Sequence, residues 1–198
     1  RSDVMDFNNQ KLNRLASPWR YALGMLGLTI PNMMYTSYGT FFYNDKIGLS
    51  ISLIAFGTML FSIWDAVNDP LMGFLSDRTR TRWGRRRPWL LIGAPLYAIA
   101  MTLFFNPPKS LGNGTKLAIY FTVFLMLTET MGTITGTNYH SLFPELFREI
   151  KERTVANGIR QALQLVGLII GVSLTPMLAK SIGYSLTGTL FAFLGMGI

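Results

Sequence analysis

The chain has 198 residues, of which none is cysteine, one is histidine and only ten are Asp or Glu. The absence of cysteine excludes disulfides and thiol chemistry but leaves the compartment open. Charged side chains of either sign are also rare in several long stretches. The pattern contains no nucleophile paired with a base, no transition-metal ligand cluster and no phosphate-binding loop, so we expect neither an enzyme nor a bound cofactor.

Long apolar segments make up most of the chain, which is 49% hydrophobic and 14% charged. A membrane-spanning helix needs about 20 mostly apolar residues. We identify six such segments, of which the last is cut short: 21–43, 49–75, 88–106, 117–143, 155–178 and 185–198. We predict an all-α membrane protein, with a cytoplasmic segment at 1–20 and a six-helix transmembrane bundle at 21–198. Because the last segment is short, we expect a fragment that pairs with a missing C-terminal half or a second six-helix unit.

The basic residues fall unevenly on the two sides of the predicted bundle. Fourteen lie on the side of the N-terminus and four on the other: Lys46, Lys109, Lys116 and Lys180. Such an excess marks the cytoplasmic side. The net charge of +8 is therefore explained by membrane topology rather than by nucleic-acid binding. We expect a multi-pass protein of the plasma (inner) membrane, in contact with lipid, with its N-terminus in the cytoplasm.

Two acidic residues, Asp65 and Asp69, interrupt the second apolar segment. A carboxylate at the centre of a membrane helix costs about 2.5–3.5 kcal/mol, which implies a compensating use. The i, i+4 spacing places both on one helical face with Asn68. Pro70 has no N–H, so the carbonyl of Ala66 loses its helical partner. Oxygen clusters suit hard cations, and we predict a Na⁺ or proton site near the midplane. Structural salt bridges to basic residues are the alternative.

Three further residues in the apolar segments carry polar or aromatic functions. Glu129 has three open interpretations: part of the cation or proton pathway, a contact to the missing half, or a protonated, hydrogen-bonded structural residue. His140 is either a proton relay or a hydrogen-bonded interfacial residue. Tyr35 is a candidate for stacking on a ligand in a cavity.

A basic loop joins the second and third segments. It contains a small residue, an acid and several arginines, in the order Gly73, Asp77, Arg78, Gly84, Arg85 and Arg86. The glycine allows another helix to approach, and the acid can pair with arginines or cap the next helix end. The arginines can bind lipid phosphate or hold the loop on the inner side. We predict a conformational loop; a loop that only fixes topology is the alternative.

This loop, in an expanded form, resembles the one between helices two and three of the major facilitator superfamily. More specifically, WDAVNDPLMG (64–73), RWG (82–84) and PW (88–89) resemble the glycoside-pentoside-hexuronide:cation symporters, typified by melibiose permease. Residues 43–50 and 141–144 match as well. The resemblance implies the N-terminal six-helix bundle of a twelve-helix fold.

The resemblance also implies roles for individual residues. In that family, residues corresponding to Asp65, Asn68, Asp69 and Thr133 bind Na⁺, Li⁺ or H⁺. The galactoside transporter of the family binds sugar with two acids, an aromatic side chain and an arginine, which correspond here to Thr29, Gly136, His140 and Arg160. Both acids are missing. The resemblance therefore favours cation coupling more strongly than galactoside specificity.

We accordingly predict a secondary active transporter that couples Na⁺ or H⁺ to a sugar or glycoside by alternating access. Loss of the two sugar-site acids leaves a lipid-like or amphipathic solute as an alternative. A non-transporting membrane scaffold with the same fold is the alternative from another class.

Overall fold

The computed structural model describes residues 17–82 and 84–197, and this part of the chain folds into six helices without strands. The prediction of an all-α, six-helix bundle is confirmed. Residues 1–16 of the predicted cytoplasmic segment, together with Trp83 and Ile198, lie outside the described residues. The helices are α1 (Pro18–Phe41), α2 (Ile51–Arg78), α3 (Arg87–Phe104), α4 (Thr115–Leu146), α5 (Ile150–Ile182) and α6 (Tyr184–Gly197).

Two helices extend beyond the predicted segments. A π-helical turn, Phe42–Ile47, continues α1 until Gly48, whose φ of 85° ends it in the left-handed region that favours glycine. Helix α5 begins at Ile150, five residues before the apolar segment, because its charged first turns are helical too. It also contains a π-helical turn at Ile170–Leu174. Helices therefore extend beyond the apolar segments that a hydropathy pattern detects.

Four of these helices, α2 to α5, are long and apolar enough to cross a membrane by length and composition. Helix α1 has 24 residues, but Thr29, Asn32 and Thr36 interrupt its apolar surface. Helix α6 has only 14 residues in the described range. Both belong to the bundle through packing, since α1 lies against α5 and α6, and α3 lies against α4 and α6.

Glycines bring three of these helices into close contact. A Cβ at Gly171 of α5 would meet Ile30 and Met33 of α1, and one at Gly195 of α6 would meet the carbonyl of Gly27. Small residues of this kind are how membrane helices approach each other without a hydrophobic driving force.

Two apolar clusters close the ends of the bundle. The larger, at the predicted outer end, includes the fully buried rings of Tyr43, Phe104 and Phe121. Its Tyr43 hydroxyl donates a hydrogen bond to the carbonyl of Phe104 at 2.8 Å. The smaller cluster, at the predicted inner end, is built on Tyr21 and Phe147. The polar side chains of α1, α2, α4 and α5 lie between these clusters, next to two cavities.

Candidate cation and solute sites

Helices α2 and α4 run in the same direction and are joined by two side-chain hydrogen bonds. The indole Nε1 of Trp64 donates to Oγ1 of Thr130 at 2.9 Å. Five residues further along α2, Asp69 accepts at Oδ1 a hydrogen bond from Oγ1 of Thr133 at 3.1 Å. The structure therefore brings together two of the four predicted cation ligands, Asp69 and Thr133, from different helices.

Asn68 is the third predicted ligand, and its side chain is 0% exposed. Neither its amide nitrogen nor its amide oxygen has a hydrogen-bond partner among the described residues. A buried polar group without a partner costs about 1–3 kcal/mol, so such groups in native proteins need an explanation. A cation that is coordinated by the amide oxygen of Asn68 is one such explanation.

The carboxylates of Asp65 and Asp69 have no basic partner in the part of the chain that the structure describes. The salt bridges found there are Lys46 with Asp45, and Arg86 with both Asp77 and Glu145. Structural salt bridges within this bundle therefore do not account for the two aspartates.

The donor types at this site are all oxygens: two carboxylates, an amide and a hydroxyl. No group of three or more His, Cys, Asp or Glu side chains that could hold a metal occurs within residues 17–82 and 84–197. Hard monovalent cations accept carboxylate, carbonyl and hydroxyl oxygens, whereas thiolates and imidazoles suit transition metals. The residues present thus fit Na⁺, Li⁺ or a proton better than a transition metal.

Asp65 also lines a cavity of about 300 Å³ between α1, α2, α3 and α4. Glu129 and Tyr35 lie on the same cavity. The Tyr35 hydroxyl donates a hydrogen bond to the carbonyl of Leu125 at 3.0 Å, and its ring is buried. Because Tyr35 lines this cavity, it lies beside Asp65 and apart from the other predicted solute residues. Among the described residues, the side chain of Glu129 has no hydrogen bond or ion pair. Its interpretation as a residue whose side chain is held by a structural hydrogen bond therefore finds no support within this bundle.

Three of the predicted solute residues, Thr29, Gly136 and His140, meet at a second cavity of about 220 Å³. Thr29 already donates its hydroxyl hydrogen to the carbonyl of Met25 at 2.7 Å. A Cβ at Gly136 would meet no atom within 4 Å, so the position is open. Arg160, the fourth residue, lies beside this cavity with Nη1 3.4 Å from Nδ1 of His140.

Three polar residues that line the second cavity had no predicted site role: Asn32, Tyr97 and Gln164. Two of them had a detectable signal, because Asn32 follows Thr29 by three residues and Gln164 follows Arg160 by four, which places each pair on one helical face. The sequence gives no such signal for Tyr97, because an aromatic residue in an apolar helix is more often a packing residue.

At the inner end of the bundle, Arg86 connects the ends of α2 and α4. Its Nη2 donates to Oδ1 of Asp77 at 2.7 Å, its Nη1 donates to Oγ of Ser76 at 2.8 Å, and its Nε lies 4.0 Å from Oε1 of Glu145. Of the two roles expected for Asp77, pairing with an arginine is the one that the structure contains.

The remaining loop residues have separate environments. The guanidinium of Arg78 lies over the Phe74 ring, 4.1 Å from its centroid, Arg85 is exposed, and Gly84 has a φ of 94°. A Cβ at Gly73 would meet no described atom within 4 Å, so the close approach of another helix at this position stays a prediction.

A bundle of apolar helices with polar cavities, and with acids that have no basic partner among the described residues, indicates a multi-pass membrane protein. The family model described as "MFS/sugar transport protein" matches residues 20–198. The chain belongs to this family of the major facilitator superfamily, and the similarity to its cation symporters is confirmed.

Individual relatives support the same assignment. The chain is 35% identical over 166 residues to the uncharacterized symporter sll1374 of Synechocystis sp., covering 82% of this chain and 30% of that protein. It is 35% identical over 136 residues to the putative glycoside/cation symporter YagG of Escherichia coli, covering 68% and 29%. It is 31% identical over 119 residues to the sodium-dependent lysophosphatidylcholine symporter 1 of Xenopus tropicalis, covering 59% and 22%. The matched region thus spans 30% or less of the length of these three relatives.

Proposed function

We propose that this chain is the N-terminal six-helix half of a twelve-helix secondary transporter that couples a cation to the uptake of a sugar or glycoside. The observation that carries the proposal is the contact of Thr133 with Asp69, next to the buried and unpartnered Asn68. The family description and the printed name of the YagG relative support the solute class. The protein lies in the plasma (inner) membrane with its N-terminus in the cytoplasm, as the distribution of basic residues indicates.

The cation acts by neutralising carboxylates that have no other partner. Binding at Asp65 and Asp69 removes the cost of two charges in the membrane, and the Thr133 hydroxyl and Asn68 amide supply neutral oxygens. Because Thr133 belongs to α4, the bound cation stabilises one arrangement of α2 against α4. A cation and a solute that favour the same arrangement each raise the affinity for the other, which is the thermodynamic basis of coupling.

A second candidate solute is lipid-like. The lysophosphatidylcholine symporter relative carries that solute in its printed name, and the two positions that bear sugar-binding acids in the galactoside transporter are Thr29 and Gly136 here. A scaffold without transport is the third candidate. An uptake assay separates the three candidate functions. A sugar transporter shows coupled uptake of a glycoside, a lipid transporter shows coupled uptake of a lysophospholipid, and a scaffold shows neither uptake nor a cation response.

The experiment uses the full-length protein in proteoliposomes, with an imposed Na⁺ or pH gradient. Asp65→Asn and Asp69→Asn should each abolish gradient-driven uptake while leaving insertion and folding intact. Asp45→Asn is the matched control, because Asp45 is an exposed aspartate at the outer turn, paired with Lys46. Normal cation dependence of uptake in either helix-two variant would overturn the cation site.

A further inference from the structure

Trp64 lies on α2, one residue before the predicted cation ligand Asp65, and its indole reaches α4. Its Nε1 donates a hydrogen bond to Oγ1 of Thr130 at 2.9 Å. The Thr130 hydroxyl gives its own hydrogen to the carbonyl of Met126 at 2.8 Å, which leaves its oxygen to accept from the indole. Because an indole N–H can only donate, this bond between α2 and α4 has one possible direction.

The surroundings of this bond favour its persistence. Thr130 is buried, and both residues belong to helices that are long and apolar enough to cross a membrane. In the hydrocarbon region, an N–H group that loses its partner finds no water to replace it. Breaking the bond therefore leaves a polar group without a partner, which opposes the separation of α2 from α4 at this point.

Two side-chain hydrogen bonds join α2 to α4 at different heights. One links Trp64 to Thr130, and the other links Asp69 to Thr133. At 1.5 Å per residue, they lie about 7.5 Å apart along α2 and about 4.5 Å apart along α4. Two directional contacts at different heights oppose both a slide and a rotation of one helix against the other, which a single directional contact does not.

Of these two bonds, the one made by the indole is the one that can persist when the proposed cation site is filled. A cation held by Asp69 and Thr133 uses an oxygen of each, so the hydrogen bond between them is exchanged for coordination. Neither Trp64 nor Thr130 is a predicted ligand, and their bond needs no such exchange. It can therefore hold the two helices in the same register with the cation site empty or filled.

We infer that Trp64 is a positioning residue of the cation site, because its bond to Thr130 holds α2 against α4 so that ligands of both helices reach one cation. The inference rests on the proposed transport function and adds to it a residue that is not itself a ligand. Binding groups must be held to within about 0.5 Å of their productive geometry by the residues that support them. A hydrogen bond between the two helices that carry the ligands provides such support.

The test measures the cation concentration that gives half-maximal thermal stabilisation of the full-length protein. Na⁺ is the first probe, and H⁺ is the probe if Na⁺ has no effect. Thr130→Val removes the acceptor and keeps the shape of the side chain, and Trp64→Phe removes the donor and keeps an aromatic ring. Each should raise the half-maximal concentration about fivefold, as expected for one lost hydrogen bond. Thr130→Ser retains the acceptor and should bind the cation like the wild type.

Trp89→Phe is the matched control, because Trp89 makes the same kind of bond away from the cation site. Its Nε1 donates to Oγ1 of Thr79 at 3.0 Å, at the inner end of the bundle. This variant should lower the melting temperature without changing the half-maximal cation concentration. The control thus separates a loss of stability from a loss of cation affinity.

A double-variant cycle tests whether Trp64 acts through the ligand on α4. Thr133→Val already lacks the hydroxyl that the indole bond is inferred to position, so adding Trp64→Phe to it should cause little further loss of cation affinity. Full additivity of the two effects would show that they are independent and would overturn the inference.

The remaining outcomes separate this inference from the proposed function. Wild-type cation affinity in Thr130→Val or Trp64→Phe would overturn the inference while leaving cation coupling intact. An equal loss of affinity in Trp89→Phe, or no recovery in Thr130→Ser, would overturn it too. A wild-type protein that responds to neither Na⁺ nor H⁺ would instead refute the proposed transport function, and the inference with it.

Discussion

The contact of Thr133 with Asp69 provides a quantitative test of the cation site, because Thr133→Val removes the hydroxyl and preserves the shape of the side chain. The lost hydrogen bond, at 3.1 Å to a carboxylate, belongs to a class worth about 1.5–3 kcal/mol. Asp69 is exposed in this structure, so the lower end of that range applies. In the proposed site the same hydroxyl supplies an oxygen ligand to the cation, and losing a ligand of comparable strength, at about 1.4 kcal/mol per decade, should raise the cation dissociation constant about tenfold.

The assay is the melting temperature of the full-length protein in detergent, titrated with Na⁺ at constant ionic strength. Thr122→Val is the matched control: Thr122 also lies on α4, but its hydroxyl donates to the carbonyl of Ala118 within the helix at 2.9 Å. The control should titrate like the wild type. A Thr133→Val variant whose Na⁺ midpoint equals that of the wild type would refute the assignment of Thr133 as a ligand.

Two further predictions concern stability in the full-length protein. Arg86→Gln should lower the unfolding free energy by about 1–2 kcal/mol, because the Arg86 guanidinium is only 14% exposed and pairs with Asp77. Arg85→Gln is the control and should have little effect, because Arg85 is exposed. Thermal unfolding measures both variants. Gly195→Ala should destabilise the folded protein by about 1–3 kcal/mol, because the added Cβ would meet the Gly27 carbonyl. Gly158→Ala is the control, because a Cβ there would meet no atom within 4 Å. Equal melting temperatures for these two variants would contradict the α1–α6 packing.

Much of the fold was predictable from apolar segment length. Each of the six predicted segments corresponds to one of the six helices, although the charged first turns of α5 and the π-helical end of α1 are invisible to an apolar pattern. The environment of Gly73 could not be predicted, because a sequence does not show which helix lies opposite a small residue.

The candidate cation site was more predictable than the candidate solute site. Asp65, Asn68 and Asp69 share one short stretch of α2, so helical periodicity alone groups them. The grouping of Arg160 with His140 and Gln164 depends on how α4 packs near α5, which is a tertiary contact. Thr29 and Tyr35 lie six residues apart on α1, so helical periodicity places them on different faces. The packing of the other helices determines which cavity each of them lines.

Glu129 illustrates the limit of reasoning from residue type. A third acid in an apolar segment was compatible with a pathway, a contact or a structural hydrogen bond. The structure places it on the cavity that Asp65 lines and gives it no hydrogen bond or ion pair among the described residues. We therefore keep two of the three interpretations: part of the cation or proton pathway, and a contact to a second six-helix unit.

The central claim is that the aspartates of α2 bind the coupling cation. The most direct test is calorimetric titration of the purified full-length protein with NaCl against KCl, with simultaneous detection of released protons. The account predicts saturable Na⁺ binding, or protons released by Na⁺, and the loss of both in Asp65→Asn and Asp69→Asn. Undiminished Na⁺ binding in both variants would contradict it, as would a wild type that shows neither Na⁺ binding nor a pH-dependent proton uptake that the two variants lose.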